Sequence, residues 1–370
     1  MTIASSRRSF LAGLAAPAAP AHRVLGKTGL KVFPLGFGGR GTSDAPVIAR
    51  AVDLGINYID TGRRYANNER LIGTALKGRR QQVVISSKSD AKTKKDALAD
   101  LDTSLRELQT DYLDIWMLHG VVKPEELTDE LLGALQAARK SGKIRFTGIS
   151  THLNMPAMLD HIVRIGGIEV MLAAYNFTMQ PEVGQAIRKA RKAGIGIIAM
   201  KVLAGGFNRI QNSEPRFEGS PAALVRTLKQ EGAMHAAIRW ALNNEAVDTS
   251  AVCMADFEQV EENVAAVAKP YAAADEKLLS AQLAWVGPLY CRMCGACDGV
   301  CDKGVRVSDT LRFLTYAEGY RDFPLARQSY LELPEEARGR RCADCQSCTV
   351  DCPNGVDVQG RLIRAQQLLS

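Results

Sequence analysis

Cysteine is almost missing from the first 290 residues of this 370-residue chain: Cys253 stands alone there, and the other eight of the nine cysteines follow. That distribution excludes a disulfide-framed N-terminal unit and separates a thiol-poor domain from a cysteine-built one. Long hydrophobic runs are also missing, and none approaches the roughly 20 residues that cross a bilayer. Aromatic residues make up only 6% of the chain, and no basic cluster is interleaved with them, which argues against a nucleic-acid surface. The net charge of +7 is scattered along the chain, as on a solvated surface. A glycine-rich dinucleotide turn is absent too. Its nearest approach, Leu35-Gly36-Phe37-Gly38-Gly39, lacks the Gly-x-Gly-x-x-Gly spacing and the acidic residue that a doubly wound sheet places after its first strand.

The start of the chain reads Ser5-Ser6-Arg7-Arg8-Ser9-Phe10-Leu11, followed by an Ala-rich stretch that ends Ala19-Pro20-Ala21. Paired arginines before Phe-Leu, with a small-x-small triplet behind, resemble a twin-arginine signal peptide over 1–21. That route exports folded proteins, so the expectation is the periplasm or cell envelope, with a cytoplasmic protein carrying a disordered leader as the alternative.

From residue 22 to 285, short apolar runs alternate with helical patterns. The candidate strands are Val32–Phe37, Asn57–Ile59, Val83–Ser87, Leu113–Leu118, Arg145–Ile149, Val170–Tyr175, Gly196–Met200 and Thr249–Val252. Amphipathic stretches such as Lys95–Leu108 and Thr128–Lys140 lie between them. Helix-length crossovers imply parallel βαβ units, and eight of them make an α/β fold, a (β/α)8 TIM barrel. The longest gap, Leu203–Thr249, carries the polar stretch Asn208–Ser220, which reads as a loop over the active-site face. The barrel ends near Trp285–Leu289, leaving 286–370 as a second domain.

Barrel active sites lie at the C-terminal ends of the strands. Asp60 follows the second strand with Tyr65 five residues on, Lys88 ends the third and His119 ends the fourth. One such residue is most simply a snorkelling lysine or a satisfied core histidine; three successive strands ending this way are not. The residue types suit carbonyl reduction. A carbonyl that receives hydride needs a proton, which Tyr65 can donate; a nearby Lys88 ammonium stabilises the phenolate and lowers its pKa. Asp60 holds Lys88, and His119 orients the carbonyl oxygen.

The segment Gly55-Ile56-Asn57-Tyr58-Ile59-Asp60-Thr61-Gly62-Arg63-Arg64-Tyr65-Ala66-Asn67-Asn68-Glu69 resembles the aldo-keto reductase signature. Similar likenesses run through Arg23–Val32, Asp111-Tyr112-Leu113-Asp114, Gly194–Lys201 and Glu258–Asn263, so the resemblance covers about 22–285. It implies a catalytic tetrad of Asp60, Tyr65, Lys88 and His119, and a nicotinamide dinucleotide across the strand ends. Ser150 matches a residue that holds the carboxamide, and its companion Asn is Thr151 here. The usual Gln falls at Leu172 and the usual stacking Tyr at Met200, with Lys201 beside it. Glu262 and Asn263 match adenine contacts. The family's 2′-phosphate cations fall at Cys253 and Gln259; neither is charged, so the cofactor is NAD or NADP with no strong NADP preference.

The second domain carries Cys291-x2-Cys294-x2-Cys297-x3-Cys301 and Cys342-x2-Cys345-x2-Cys348-x3-Cys352-Pro353. This is the bacterial ferredoxin spacing for two 4Fe–4S clusters, in which the fourth Cys of each run serves the other cluster. One cluster is therefore expected on Cys291, Cys294, Cys297 and Cys352, the other on Cys342, Cys345, Cys348 and Cys301. Structural zinc takes Cys-x2-Cys pairs instead. The runs are an internal repeat: Cys301-Asp302-Lys303-Gly304-Val305-Arg306-Val307 echoes Cys352-Pro353-Asn354-Gly355-Val356-Asp357-Val358. Val307–Arg338 between them looks helical, so 286–370 resembles a helical dicluster ferredoxin, a small ferredoxin-like 4Fe–4S domain.

The reading is an oxidoreductase that moves hydride between a nicotinamide cofactor and a small-molecule carbonyl or alcohol, with clusters that exchange electrons with a redox partner protein. Hydride carries two electrons and each cluster one, and nothing in the sequence signals a flavin between them. Two alternatives stand beside it: an enzyme whose clusters are structural, and an electron-transfer or redox-sensing protein with the barrel as scaffold.

Overall fold

The computed structural model describes residues 20–42, 44–205, 232–320 and 322–370. The leader expected over 1–21, apart from its last two residues, and the loop Asn208–Ser220 lie outside the described residues.

Eight parallel strands close into a barrel in chain order: Leu35–Gly38, Tyr58–Asp60, Val84–Ser89, Leu113–Leu118, Ile144–Thr151, Val170–Ala174, Gly196–Met200 and Thr249–Cys253, the last pairing with the first. Each expected strand is present; Leu113–Leu118 and Gly196–Met200 keep their expected bounds, and the other six shift at one end or both. The largest shift is in the first. Val32–Phe37 is not one strand, because Lys31–Val32 pairs antiparallel with Arg23–Val24 and the barrel strand begins only at Leu35. Pro34 lies between the two pieces, and its missing N–H suits such a break.

This hairpin plugs the N-terminal end of the barrel. Leu25, Leu30 and Val32 pack with Tyr58, Val84, Ile115, Met117, Val170, Leu172 and Ile198 in a core inside the strands. A second, larger core fills the space between strands and helices, with Phe37, Ile59, Ile85, Trp116, Leu118, Ile149 and Ile197. Successive strand residues face opposite sides, and both sides are buried here, which is why the strands read as nearly continuous apolar runs. The surrounding helices begin where the sequence offers a cap: the Thr93 and Thr128 hydroxyls accept from Asp96 N and Leu131 N at the starts of Lys94–Leu108 and Asp129–Lys140.

The cysteine-bearing stretch expected to be a second domain follows the helix Ala273–Val286. Val307–Arg338 is not one helix but two, Val307–Glu318 and Phe323–Leu331. Asp322 caps the second, accepting from Leu325 N at 3.1 Å, with a proline in its first turn. The internal repeat is structural as well as sequential. Gly304 and Gly355 share a φ of +72°, and each is followed by a helix, Val307–Glu318 or Val358–Leu369. Val305, Val307, Val356 and Val358 meet in one core with Leu311, Leu362 and the cysteines.

The plug is fastened by one buried carboxylate. Asp248 accepts from Gly26 N at 3.1 Å and Ile197 N at 2.9 Å, and pairs with Arg191 at 2.7 Å. Asp248→Ala orphans two buried N–H groups and is expected to cost about 3 kcal/mol, measured by denaturant unfolding; a loss under about 0.5 kcal/mol would contradict this account.

Candidate active site

The alternation that builds the plug also builds the site. Tyr58 and Val84 face the inner core, so Asp60, two residues beyond Tyr58, and Ser86 and Lys88, two and four beyond Val84, face inward too. The register sets Asp60 beside Ser86, and Lys88 beside the inward Met117. His119 follows two residues after Met117. The barrel thus carries a carboxylate, an ammonium and an imidazole to one place at its C-terminal mouth.

Lys88 is fully buried and its Nζ lies 2.7 Å from Asp60 Oδ2. It also donates to the carbonyl of Thr61. Asp60 is held from its other side by Ser86 Oγ at 2.8 Å, and the Tyr58 hydroxyl lies 2.7 Å from that same Oγ. Burial alone would push the Lys88 ammonium down, but Asp60, with Tyr65 beside it, more than offsets this and the group is raised. Lys88 therefore stays charged.

Tyr65 stands on a loop locked by Asn68, whose Nδ2 donates to Gly39 O at 2.7 Å while its Oδ1 accepts from Thr61 Oγ1 at 2.7 Å. A Cβ on Gly39 would come within 2.1 Å of Asn68 Oδ1, so only glycine fits there. Ala66, next to Tyr65, has a φ of +48°, a left-handed conformation that non-glycine residues seldom adopt and that clusters at functional sites. The Tyr65 ring has Lys88 Nζ 4.8 Å from its centroid and the Arg40 guanidinium at 5.5 Å. Its pKa is raised, because burial outweighs the downward pull of Lys88 and Arg40. This corrects the expectation of a net lowering: Lys88 acts in the expected sense, but the site is drier than the sequence reveals.

His119 lies edge-on to Tyr65, ring centroids 5.8 Å apart. Burial, then Lys88, Arg64 and Arg40, hold its pKa well below the usual imidazole range, so it is neutral. Its Nδ1 is buried without a hydrogen-bond partner, as is Nδ1 of His152, whose ring lies 6.4 Å away. Two unused imidazole nitrogens beside a phenol are polar capacity left for a ligand.

The residues matched to nicotinamide contacts divide into two groups. Ser150 Oγ accepts from Gly120 N at 2.9 Å, which leaves its own proton free to donate. Thr151 is committed to the Leu153 carbonyl at 2.9 Å, and Leu172 belongs to the inner core, with Met200 packed against it. Cys253 is exposed at the end of the eighth strand. Gln259 does not reach outward: its Nε2 donates to Asp256 at 2.7 Å and its Oε1 accepts from Ala255 N at 3.1 Å, closing the start of its own helix. Glu262 lies 3.9 Å from His235, and Asn263 is buried. Of these matched residues, Ser150 keeps a donor, and neither Cys253 nor Gln259 carries a cation.

Sequence reasoning missed the contribution of the second domain. Arg40 bonds Asp322 at 2.8 Å and Arg64 bonds Glu332 at 2.5 Å, drawing that domain over the mouth. Asn176 Nδ2 donates to Tyr290 OH at 3.2 Å, and Gln180 Nε2 to Asn354 Oδ1 at 2.7 Å. Tyr316, Tyr320 and Arg312 thereby reach the strand ends. Nothing local in the sequence marks them, whereas His152 could have been found as the polar residue next after Ser150 and Thr151.

The eight late cysteines gather as two quartets. Burial pushes the Cys291 thiol up to about 12, with Cys297, Cys294 and Cys352 adding to the rise. Burial likewise raises Cys342 to about 11, reinforced by Cys301, Cys345 and Cys348. The first quartet lines one cavity with Asn354, whose Nδ2 lies 3.4 Å from Cys294 Sγ. Among the described residues, no three His, Cys, Asp or Glu side chains converge as the ligands of a single metal ion, and no helix is long and apolar enough to cross a membrane.

A profile described as the Aldo/keto reductase family matches residues 41–281, ending ahead of the cysteine quartets. L-Galactose dehydrogenase of Arabidopsis thaliana is 30% identical over 279 residues, covering 66% of this chain and 87% of that protein. An aldo-keto reductase of Bacillus halodurans, solved in its holo form, superposes with a TM-score of 0.60 at 26% identity, over 70% of this chain and 95% of its own. The fold is shared with an aldo-keto reductase of Klebsiella pneumoniae solved in complex with NADPH, with a TM-score of 0.56 and 22% identity over 73% and 95% of the two chains.

Lys88→Met leaves Asp60 charged and unpaired in the barrel and is expected to destabilise the fold by about 3 kcal/mol, read by denaturant unfolding. His119 is expected to stay neutral from about pH 5 to 8 by NMR. The unfolded chain takes up a proton at this histidine near pH ~6.5 and the folded chain does not. This group therefore lowers stability as pH falls through that value.

Proposed function

The chain belongs to the aldo/keto reductase family, an oxidoreductase family, and on that premise we propose that it reduces a small carbonyl compound, or oxidises the matching alcohol, with Tyr65 as the proton donor or acceptor. The observation that carries this reading is the meeting of Tyr65, the buried Lys88–Asp60 pair and neutral His119 at the barrel mouth. In the reducing direction the carbonyl carbon receives hydride and the Tyr65 hydroxyl gives its proton to the oxygen. Lys88, kept charged by Asp60, stabilises the phenolate left behind. His119 donates a hydrogen bond to the developing alkoxide, as a neutral imidazole can. The raised pKa of Tyr65 keeps its proton in place at neutral pH until the alkoxide forms.

A nicotinamide dinucleotide supplies the hydride in this reading. Ser150 would hold its carboxamide, and Glu262 and Asn263 its adenine. The absence of a cation at Cys253 and Gln259 supports no preference for the 2′-phosphate form. The helix Val307–Glu318 above the strand ends supports a retained rather than freely exchanging carrier.

In the same reading, residues 22–285 form the catalytic domain and 286–370 an electron-transfer domain holding two 4Fe–4S clusters. Cys291, Cys294, Cys297 and Cys352 would ligate one, and Cys342, Cys345, Cys348 and Cys301 the other. The crossed grouping of the thiols supports this. When bound, the clusters pass single electrons to or from a partner protein. The paired arginines of the leader support export in the folded state, which a cluster protein requires.

Tyr65→Phe is expected to lower carbonyl turnover about 10²- to 10⁴-fold while substrate binding persists; unchanged turnover would exclude the acid–base role. Anaerobically purified protein is expected to hold about eight iron atoms, and Cys291→Ser to deplete one cluster only. Bleaching of cluster absorbance by added NADH would join the two redox centres in one electron path. An iron-free protein at full activity would remove the clusters from the reading.

A further inference from the structure

The helix Val307–Glu318 sets a second lysine–tyrosine couple across the mouth from the first. Lys201 is the residue after the seventh barrel strand, Gly196–Met200. Its φ is +56°, a costly conformation for a residue with a Cβ. Two donors hold the Lys201 carbonyl in this conformation, Asn176 Nδ2 at 3.0 Å and the Ala204 N–H at 3.1 Å. In this conformation the Lys201 ammonium lies 4.8 Å from the centroid of the Tyr316 ring and 5.0 Å from that of Tyr320. The two rings are stacked on each other at 5.9 Å.

The acids around this couple are already paired. Asp60 is taken by Lys88, Asp322 by Arg40, and Asp309 by Arg312 and Arg306. Among the described residues no carboxylate pairs with Lys201. Tyr316 is faced by Lys201, Arg312 and Arg40, with Asp309 acting against them, while Asp322, whose N–H bonds the Tyr316 carbonyl at 2.9 Å, is taken by Arg40. An unpaired ammonium in a half-buried crevice is unfavourable unless an anion completes it. Lys201, Arg40 and Arg312 are each half-buried rather than sealed, so an anion can reach them. Arg40 also joins this place to the reacting centre, since its guanidinium lies 5.9 Å from the Tyr316 centroid and 5.5 Å from that of Tyr65.

We propose that Lys201, with the Tyr316 hydroxyl and Arg40, binds an anionic group of the substrate, a carboxylate or a phosphate monoester. The substrate is then an acidic carbonyl or hydroxy compound a few carbons long, with its anion under the helix Val307–Glu318 and its carbonyl at Tyr65. This rests on the carbonyl-reduction reading for what happens at the other end of the substrate, but not for the anion site itself. The electrostatics agree. Burial lowers the Lys201 pKa in the absence of a partner. Burial alone would raise Tyr316, yet Lys201, Arg312 and Arg40 pull it below the usual phenol range. An added anion relieves both.

The test uses the full-length, cluster-loaded protein. Acylation of Lys201 is followed by mass spectrometry with D-galacturonate, glyceraldehyde 3-phosphate, neutral D-galactose or NADH added. Protection by one of the two anions and not by D-galactose is expected, and which anion protects decides between carboxylate and phosphate. Lys201→Met keeps the stem over the rings, and Tyr316→Phe keeps the ring. Each is expected to weaken binding of the protecting anion at least about ten-fold by calorimetry, the loss of one charge-assisted hydrogen bond. Equal protection by D-galactose, no protection by either anion, or protection by NADH alone would overturn the proposal, the last by giving the site to the hydride carrier. Anion binding that depends on Lys201 in a protein without carbonyl turnover would confirm the subsite and sink the carbonyl-reduction reading instead.

Discussion

The Lys88–Asp60 pair is the constraint around which the barrel mouth is arranged. A lone charge inside a barrel is prohibitive and a buried pair is at best near break-even against apolar packing, so the pair is held by its surroundings rather than holding them. Ser86 and Tyr58 fix the Asp60 carboxylate, and the Thr61 carbonyl takes a further Lys88 proton. The parallel register keeps the two strands aligned. Because side chains alternate, the groups that carry the charge sit directly above the apolar groups that plug the barrel. The hairpin Arg23–Val32 at the far end and the tetrad at the mouth are the two ends of one inward-facing column.

Dryness sets the acid–base character of the site. Burial raises Tyr65 and lowers His119, and neither shift follows from residue identity alone. The second domain's helix Val307–Glu318 lies across the strand ends, tied down through Arg40–Asp322 and Arg64–Glu332. A Cβ on Gly319 would come within 2.2 Å of the Gly205 carbonyl, so the two domains approach backbone to backbone there. The cysteine domain is thus a wall of the site rather than a tail beside it. Cys291 packs against the core that surrounds the barrel, and the Met293 carbonyl accepts from Asn154 N at 3.3 Å, which puts the first quartet on the barrel side.

Much of this was legible in the sequence. Alternation and helix-length crossovers give the eight strands, because a parallel sheet buried on both faces writes itself as short apolar runs. Asp60, Lys88 and His119 stand out because each ends or follows such a run, where packing does not call for a charge. The cysteine runs are read from spacing, and the crossed grouping of their thiols is what the ferredoxin pattern implies. The break at Pro34 and the turn between Val307–Glu318 and Phe323–Leu331 were less visible, since a proline or a single capping Asp is a weak signal inside an apolar or helical stretch.

The sequence by itself determined the barrel, the column of inward residues and the two cysteine runs, because each depends on spacing along one segment or on its repetition. Only the tertiary structure decided what faces the mouth from above. Arg40, Lys201 and the helix Val307–Glu318 that carries Arg312 and Tyr316 lie far apart in the chain, and their meeting depends on how that helix packs on the strand ends. It also decided the net sense of the Tyr65 shift, since desolvation is a property of everything that surrounds a group, and no local pattern records it.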